Sequence, residues 1–246
     1  MKKRMLAFDI ETRGLKAGRD DITIVCTEDY FTGEKKAYEF ARLKNDGDSE
    51  GFEKAKYDMI EAFNTCTSLC AFNGMNFDIP FIQKTFNVPN DIVMMWKNKL
   101  CDIFYACKQK YMHTFSLNLL CETNNVPMKI STGVAAIHMA ANEEWEDLKA
   151  YCEMDVTILN NLFRKRHLLN PRNNALMDLS FFARERLYSD SPHPFKSHQA
   201  VDTYLKISNN TNLESDSGDL ELNSSKPNET PGASKSRDYQ RMSLVE

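Results

Sequence analysis

The sequence lacks any apolar run of the roughly 18 residues that a membrane-spanning helix requires, so we expect a protein without a membrane segment. It also lacks an excess of positive charge, because 31 Lys and Arg stand against 35 Asp and Glu and the formal net charge is −4. A nucleic-acid ligand would then be bound by local basic patches, by metal ions or by both. The charged first residues lead into an alternating segment rather than a signal-peptide hydrophobic region, which predicts an intracellular protein in a cytoplasmic or nuclear compartment.

A disulfide framework is not indicated either. The seven cysteines are odd in number and scattered along the chain, which favours reduced thiols. Cys66 and Cys70 lie four residues apart, but no second pair follows at zinc-site spacing. Buried or half-buried free thiols are therefore the better interpretation of these residues.

The composition changes near residue 206. From there to residue 246 the sequence is rich in Ser, Asn and Asp and almost free of large apolar residues. Such a segment buries too little apolar surface to offset the entropy of ordering, which predicts a disordered C-terminal tail. Residues 1–205 are long enough for one sizeable domain, and no internal repeat divides them.

The hydrophobic pattern predicts an α/β fold. Alternation and β-branched residues predict strands over 4–11, 21–33, 34–41 and 68–73. Helical spacing predicts helices over 49–66, capped by Asp48 or Ser49, and over 78–86, 114–123, 143–169 and 173–188. Three strands in succession, then a helix, a strand and mainly helices, indicate a mixed sheet flanked by helices.

Two acids end the first predicted strand. Asp9 and Glu11 are two positions apart, so both side chains point to one face of the strand, and the apolar side chains of Leu6, Phe8 and Ile10 point to the other. Two like charges this close repel each other and are costly to desolvate. Taken alone, the pair is explained by a strand end that reaches solvent. The alternative is a divalent cation, since hard ions prefer carboxylate oxygens.

A third acid, Asp78, follows a predicted strand and turn and precedes a helix with Pro80 in its first turn. Asp is a favoured helix cap and Pro is tolerated early in a helix, so a purely structural role is one interpretation. Asn73, Gly74 and Phe77 place an amide, a flexible backbone and an aromatic ring beside this carboxylate. Such a set is suited to holding a nucleotide, which is the other interpretation.

The longest predicted helix carries Tyr151 and Asp155, which are four residues apart and share one face. Ile158 and Leu162 continue that row, so Asp155 lies within the apolar half of an amphipathic helix. An unpaired carboxylate there would cost several kcal/mol. A bound metal ion and a salt bridge to a distant Arg are the two explanations.

In combination these residues resemble a known family. Asp9 and Glu11 in FDIET, Asp78 in NGMNFDIPFI, and Tyr151 with Asp155 in YCEMD resemble the three exonuclease motifs of the DEDD superfamily (DnaQ-like), tyrosine subclass. The motifs are most similar to those of the proofreading exonuclease domain of family B DNA polymerases and its stand-alone relatives. The resemblance spans about residues 6–167 and implies a ribonuclease-H-like fold with a mixed five-stranded sheet. It also implies 3′→5′ exonuclease activity, a phosphodiester hydrolysis that uses two Mg²⁺ or Mn²⁺ ions.

The resemblance further implies a role for each residue. Asp9 would bridge both ions, while Glu11 and Asp155 would complete the site of the ion that binds the attacking water. Asp78 would serve the second ion, and Tyr151 would orient the water. The 3′-terminal nucleotides would be contacted by Thr12, Leu15, Asn73 and Phe77.

The substrate and the biological setting stay open. The resemblance favours single-stranded or frayed DNA 3′ ends, and RNA 3′ ends are the alternative within the same superfamily. Because nothing after residue 167 resembles a polymerase, we expect a free-standing nuclease or a subunit, with unidentified replication or repair proteins as partners. A non-catalytic nucleic-acid-binding module and an adaptor acting through the tail are alternatives of another class. The basic run 164–167 is explained either by the helix dipole or by phosphate contact.

Overall fold

A five-stranded sheet forms the centre of the computed structural model, which describes residues 4–128, 133–165 and 167–178. The strands are β1 Met5–Thr12, β2 Ile22–Asp29, β3 Lys35–Tyr38, β4 Ser68–Ala71 and β5 Leu100–Asp102. Their order across the sheet is β3-β2-β1-β4-β5. Because β1 pairs antiparallel with β2 and parallel with β4, the sheet is mixed, and the predicted five-stranded mixed sheet is confirmed.

Helices flank this sheet. They are α1 Phe40–Asn45, α2 Ser49–Thr65, α3 Asp78–Phe86, α4 Asn90–Asn98, α5 Ile103–Tyr111, α6 Leu117–Thr123, α7 Gly133–Ala141 and α8 Trp145–Arg164. Helix α2 is capped as the sequence predicts, since the Asp48 carboxylate accepts a hydrogen bond from the Gly51 N–H at 2.8 Å. A separate antiparallel pair, β6 His167–Leu169 and β7 Leu176–Asp178, follows α8.

The two faces of β1 belong to different halves of the core. Leu6 and Phe8 pack into a cluster with side chains of α2, α3 and α4, and the Phe8 ring lies 4.8 Å from the Phe63 ring. Met5 and Ala7 pack into the other cluster, together with the apolar side of α8. Asp9 and Glu11 follow Met5 and Ala7 at alternate positions, so they lie on the face of the strand that α8 covers.

Some predicted elements end at different residues. The third strand ends at Tyr38, and α1 begins at Phe40, so the strand predicted over 34–41 is too long. The helix predicted over 143–169 is also too long, because residues 167–169 pair with residues 176–178 as a hairpin. Pro171 in the turn has no backbone N–H, so it would not let helix α8 continue through the hairpin. The same pairing contradicts the first part of the helix predicted over 173–188.

Several predictions concern residues outside the described ones. They are the rest of the helix predicted over 173–188 and the disordered tail predicted over 206–246. The boundary between the domain and the tail at residue 205 therefore stays a prediction. Within the described part, all seven cysteines are free and buried, as expected. No helix among the described residues is both long and apolar enough to cross a membrane.

Candidate metal centre at the end of strand β1

The candidate site lies where the second half of β1 meets α8. Ligand atoms of Asp9, Glu11 and Cys152 all lie within 4.8 Å of one another. The Cys152 thiol donates to the backbone oxygen of Asp9 across 3.7 Å, so α8 packs directly on this part of the strand. Asp9 and Glu11 are half-buried, whereas Cys152 is fully buried. The strand thus presents two half-buried carboxylates beside the buried Cys152 of α8.

The chemistry of these donors fits a hard divalent cation. Burial, the neighbouring Cys26 thiol, and the charges of Asp9 and Glu11 raise the pKa of Cys152 well above its ordinary value. The thiol therefore stays protonated and is a poor ligand. The two carboxylates supply the oxygen donors that Mg²⁺ and Mn²⁺ prefer, and a cation between them would relieve their mutual repulsion.

Helix α3 brings Asp78 to the same strand. Asp78 is the first residue of that helix and Phe77 occupies the cap position, so Asp78 is not the N-cap itself. The carboxyl group is only 4 % exposed. Burial is the main cause that raises the pKa of Asp78, to about 7, and the charge of Asp102 raises it further. Hydrogen bonds from the backbone of Asp78 itself and from the backbone of Ile10 lower this pKa and so offset part of the rise. The Ile10 contact places the Asp78 carboxyl against the backbone between Asp9 and Glu11.

Gly74 allows the chain to approach this closely. A Cβ atom at Gly74 would overlap the side chain of Ala71, and it would lie 3.4 Å from the Phe8 ring and 3.7 Å from the Asp78 carboxyl oxygen. The glycine in NGMNFD is therefore required by close packing between the loop, β4 and β1.

On helix α8, Tyr151 and Asp155 lie on either side of Cys152 in the chain, and the group of ligand atoms within 4.8 Å of one another includes Cys152 but not Asp155. The Tyr151 and Asp155 side chains are each 7 % exposed, which confirms that Asp155 lies on the buried side of the helix. Cys152, one residue after Tyr151, contacts Asp9, so this turn of α8 faces the end of β1. Burial and, after it, the charge of Asp155 raise the pKa of Cys121, a residue of α6, to about 11.

A buried acid that the sequence reasoning missed fixes α8 on the sheet. Glu28 of β2 is 3 % exposed. Its carboxylate accepts from the Thr157 hydroxyl at 2.6 Å and from the Asn160 amide at 2.9 Å. The Arg164 guanidinium lies 3.5 Å from the same carboxylate. We call Glu28 with these three α8 side chains the Glu28 clasp; it fixes the register of the helix that carries Tyr151 and Asp155.

Arg164 has a structural role in this arrangement. Besides approaching Glu28, its guanidinium donates to the backbone oxygen of Tyr30 at 3.2 Å and lies 5.5 Å above the Tyr30 ring. These contacts favour the structural interpretation of the first residue of the basic run over phosphate contact.

The residues predicted to contact the substrate differ in exposure. Thr12 is buried and its hydroxyl donates to the Gly14 backbone oxygen at 2.5 Å, whereas Leu15 is 76 % exposed. Asn73 has a left-handed backbone, with φ of 66°, and the Phe77 ring packs 4.8 Å from the Phe81 ring. Leu15 is thus the one of these four whose side chain is largely accessible, and the binding role of all four stays a prediction.

The sequence also matches a family model. The model describes the RNase_H superfamily, and the match covers residues 6–124, from the second residue of β1 to the end of α6. The match relates residues 6–124, just under half of the chain, to this superfamily. The match includes the strand with Asp9 and Glu11 and the helix start with Asp78. Among curated proteins, no sequence matches the chain.

Several solved structures are similar to part of this chain. The family B DNA polymerase from the hyperthermophilic archaeon Pyrobaculum calidifontis is similar with a TM-score of 0.50 and 17 % identity, over 68 % of this chain and 25 % of the polymerase. A product-bound exonuclease I has a TM-score of 0.44 and 14 % identity, over 68 % of this chain and 43 % of that one. E. coli exonuclease I with a dT13 oligonucleotide has a TM-score of 0.44 and 14 % identity, over 67 % of this chain and 41 % of the exonuclease.

The chain therefore spans a quarter of the polymerase and about two-fifths of the exonucleases that it resembles. The polymerase likeness, at 17 % identity, concerns the fold alone. Together with the family match, it confirms the ribonuclease-H-like fold expected from the motifs.

Proposed function

We propose that the protein is a metal-dependent 3′→5′ exonuclease that removes nucleotides from single-stranded or frayed DNA 3′ ends. The observation that carries this proposal is the meeting of three elements at the end of β1. The strand supplies Asp9 and Glu11, α3 places the Asp78 carboxyl against the Ile10 backbone, and the facing turn of α8 contains Tyr151 and Asp155. The order of these residues along the chain is that of the DEDD motifs, tyrosine subclass.

Four carboxylates would hold two Mg²⁺ or Mn²⁺ ions. Asp9 would be shared between the two ions, Glu11 and Asp155 would complete one site, and Asp78 would serve the other. When bound, such a pair of ions activates the attacking water and stabilises the leaving oxygen of a phosphodiester. The raised pKa of Asp78, about 7, supports this role, because a buried carboxyl beside another acid is stabilised in its ionised form by a cation.

Tyr151 would orient the water that attacks the phosphorus. An ordinary tyrosine has a pKa of about 10, so its hydroxyl is a weak base near neutral pH. A phenol at this position acts best by holding the water through a hydrogen bond while the carboxylates neutralise charge. The buried position of Tyr151 on the turn of α8 that contacts Asp9 supports this assignment.

The terminal nucleotides would lie beside the loop that follows β1. The exposed Leu15 side chain offers an apolar surface to a sugar or base, and the half-buried Phe77 ring offers a stacking surface. Stacking on an aromatic ring is tolerant of base identity, as an exonuclease that shortens any sequence requires. A single strand fits these contacts better than a duplex, since both surfaces address the end of one strand.

The test is digestion of 5′-labelled single-stranded DNA and RNA of one sequence with Mg²⁺, Mn²⁺ or EDTA. We expect a ladder of products shortened from the 3′ end that is absent with EDTA and absent in Asp9→Ala and Asp155→Ala. Asp46→Ala is the control, because this acid lies on the surface after α1 and its side chain is 61 % exposed. Unchanged activity in Asp155→Ala would contradict the metal assignment. Faster shortening of RNA would assign the alternative substrate, and binding without shortening would assign a non-catalytic module.

A further inference from the structure

Asp102, the last residue of β5, is a buried acid outside the predicted motifs. It is 6 % exposed, and its carboxylate accepts three backbone hydrogen bonds. The Tyr105 N–H donates at 3.1 Å, which caps α5. The Asn73 and Met75 N–H groups donate at 2.9 Å each, to different oxygens of the carboxylate. Two of the three bonds therefore join β5 to a loop that is remote in sequence.

That loop is the turn that delivers Asp78 to the site. Asn73 has a left-handed backbone, and its carbonyl oxygen accepts from the Phe77 N–H at 3.0 Å. The Gly74 carbonyl oxygen accepts from the Ile79 N–H at 3.0 Å, so the turn over residues 73–77 continues directly into α3. Asp102 accepts from two N–H groups of this turn, and it therefore fixes the orientation in which α3 begins.

Charge links the two acids as well. The Asp102 charge contributes to the raised pKa of Asp78, so the two carboxyl groups are near each other. The negative charge of Asp102 would also attract a cation bound to Asp78, without direct contact between the cation and Asp102. The Asp102 carboxylate itself is held by three backbone N–H donors, two of which belong to the turn over 73–77.

We propose that Asp102 is a positioning residue for Asp78: by accepting hydrogen bonds from the Asn73 and Met75 N–H groups of the turn over 73–77, it sets the place of the Asp78 carboxylate and with it the affinity of the site for a divalent cation. This proposal deepens the proposed function: an effect of Asp102 on nuclease activity requires that the protein is the metal-dependent exonuclease proposed above. Cation affinity itself is measurable without a nucleic acid. Residues that orient metal ligands commonly change metal affinity by about 10- to 100-fold when they are substituted.

Two substitutions separate geometry from charge. Asp102→Asn is nearly isosteric, but its NH₂ group faces a backbone N–H that the carboxylate oxygen accepted, so one end of the turn is released. Asp102→Glu keeps the charge and moves the carboxylate by one methylene. Positioning predicts that both variants lose cation affinity, whereas a purely electrostatic role predicts that the glutamate variant retains it. Asp48→Asn is the control, because it is the same substitution at the exposed N-cap of α2.

The experiment is calorimetric titration of Mn²⁺ into the full chain at pH 8, together with melting curves in EDTA and the DNA digestion. We expect both Asp102 variants to bind Mn²⁺ about tenfold more weakly, with wild-type affinity in Asp48→Asn. Affinities within twofold of wild type in the Asp102 variants, or full affinity in Asp102→Glu, would overturn the proposal. If the wild type binds Mn²⁺ but digests neither DNA nor RNA, the proposed function fails, and weaker Mn²⁺ binding by the variants still supports the positioning role.

Discussion

Asn160→Ala is the sharpest test of how α8 is held. The Asn160 amide donates to the buried Glu28 carboxylate at 2.9 Å and to the Glu28 backbone oxygen at 3.3 Å. A hydrogen bond to a charged group contributes about 1.5–3 kcal/mol, and leaving a buried carboxylate short of donors costs in the same range. The Oδ1 atom of Asn160 has no hydrogen-bond partner among the described residues, so alanine also removes an unsatisfied acceptor, which offsets part of the loss.

The net expectation is a loss of about 2 kcal/mol in the free energy of unfolding. For a domain of 150–250 residues this lowers the melting temperature by about 4–8 °C. Urea denaturation followed by circular dichroism measures the free energy, and calorimetry measures the melting temperature. Asn161→Ala is the matched control: it removes an exposed hydrogen bond that the neighbouring amide oxygen accepts from Arg164 at 2.9 Å, and it leaves the three side chains that contact Glu28 in place. We expect that control to change stability by less than about 0.5 kcal/mol.

Equal losses in the two alanine variants would refute the reasoning, since they would show that the Glu28 clasp adds nothing to a surface hydrogen bond. The double variant Glu28→Gln/Asn160→Ala tests whether charge is the cause. Hydrogen bonds to neutral groups are roughly half as strong as those to ions, so Asn160→Ala should cost about 1 kcal/mol less in the Glu28→Gln background than in the wild type. Strict additivity of the two substitutions would contradict the charged role of Glu28.

Three further predictions follow from single residues. In EDTA, Asp78→Asn should become progressively more stable than the wild type between pH 5 and 8. The pKa of Asp78 is about 7 in the folded protein and about 4 in the unfolded chain, so ionisation destabilises the folded wild type as the pH rises. A difference in melting temperature that does not change with pH would contradict this prediction. Asp48→Ala should lower the free energy of unfolding by about 1 kcal/mol in urea, because it removes the N-cap hydrogen bond to Gly51, and an unchanged midpoint would contradict it. Leu15→Ala should leave the melting temperature unchanged, since the side chain is 76 % exposed, and raise KM for single-stranded DNA severalfold; an unchanged KM would remove Leu15 from the substrate surface.

The part of the fold that sequence reasoning predicts is the part with a strong local signal. β1 and β2 are eight residues long each, so alternation and β-branched content identify them. β5 is three residues long and is stabilised by pairing with β4, which no local pattern shows. The sequence does not predict helices α4, α5 and α7, which are nine residues long each. Helix α3 has the same length and is predicted, because Asp78 and Pro80 mark its start. The predicted length of α8 is too great because apolar residues continue into the hairpin.

Residues that act over long sequence distances are missed for the same reason. Asp102 binds N–H groups 27 and 29 residues earlier, and Glu28 binds side chains more than a hundred residues later. In the sequence, Asp102 has the pattern of an ordinary helix cap. Glu28 does carry a signal, because it follows Ile24 and Cys26 on one face of β2, in the same way that Asp9 follows Met5 and Ala7 on β1.

The comparison of Glu28 with Asp78 shows why that signal alone does not identify a metal ligand. Both are buried carboxyl groups next to apolar residues, and their exposures of 3 % and 4 % do not separate them. Glu28 faces a hydroxyl, an amide and the Arg164 guanidinium, so donors and a positive charge already stabilise its ionised form. Asp78 faces backbone N–H groups and a second acid, Asp102, and its pKa rises to about 7. A positive charge faces Glu28 and a negative charge faces Asp78, a difference that only the folded chain reveals. A cation would therefore stabilise the carboxylate of Asp78 rather than that of Glu28.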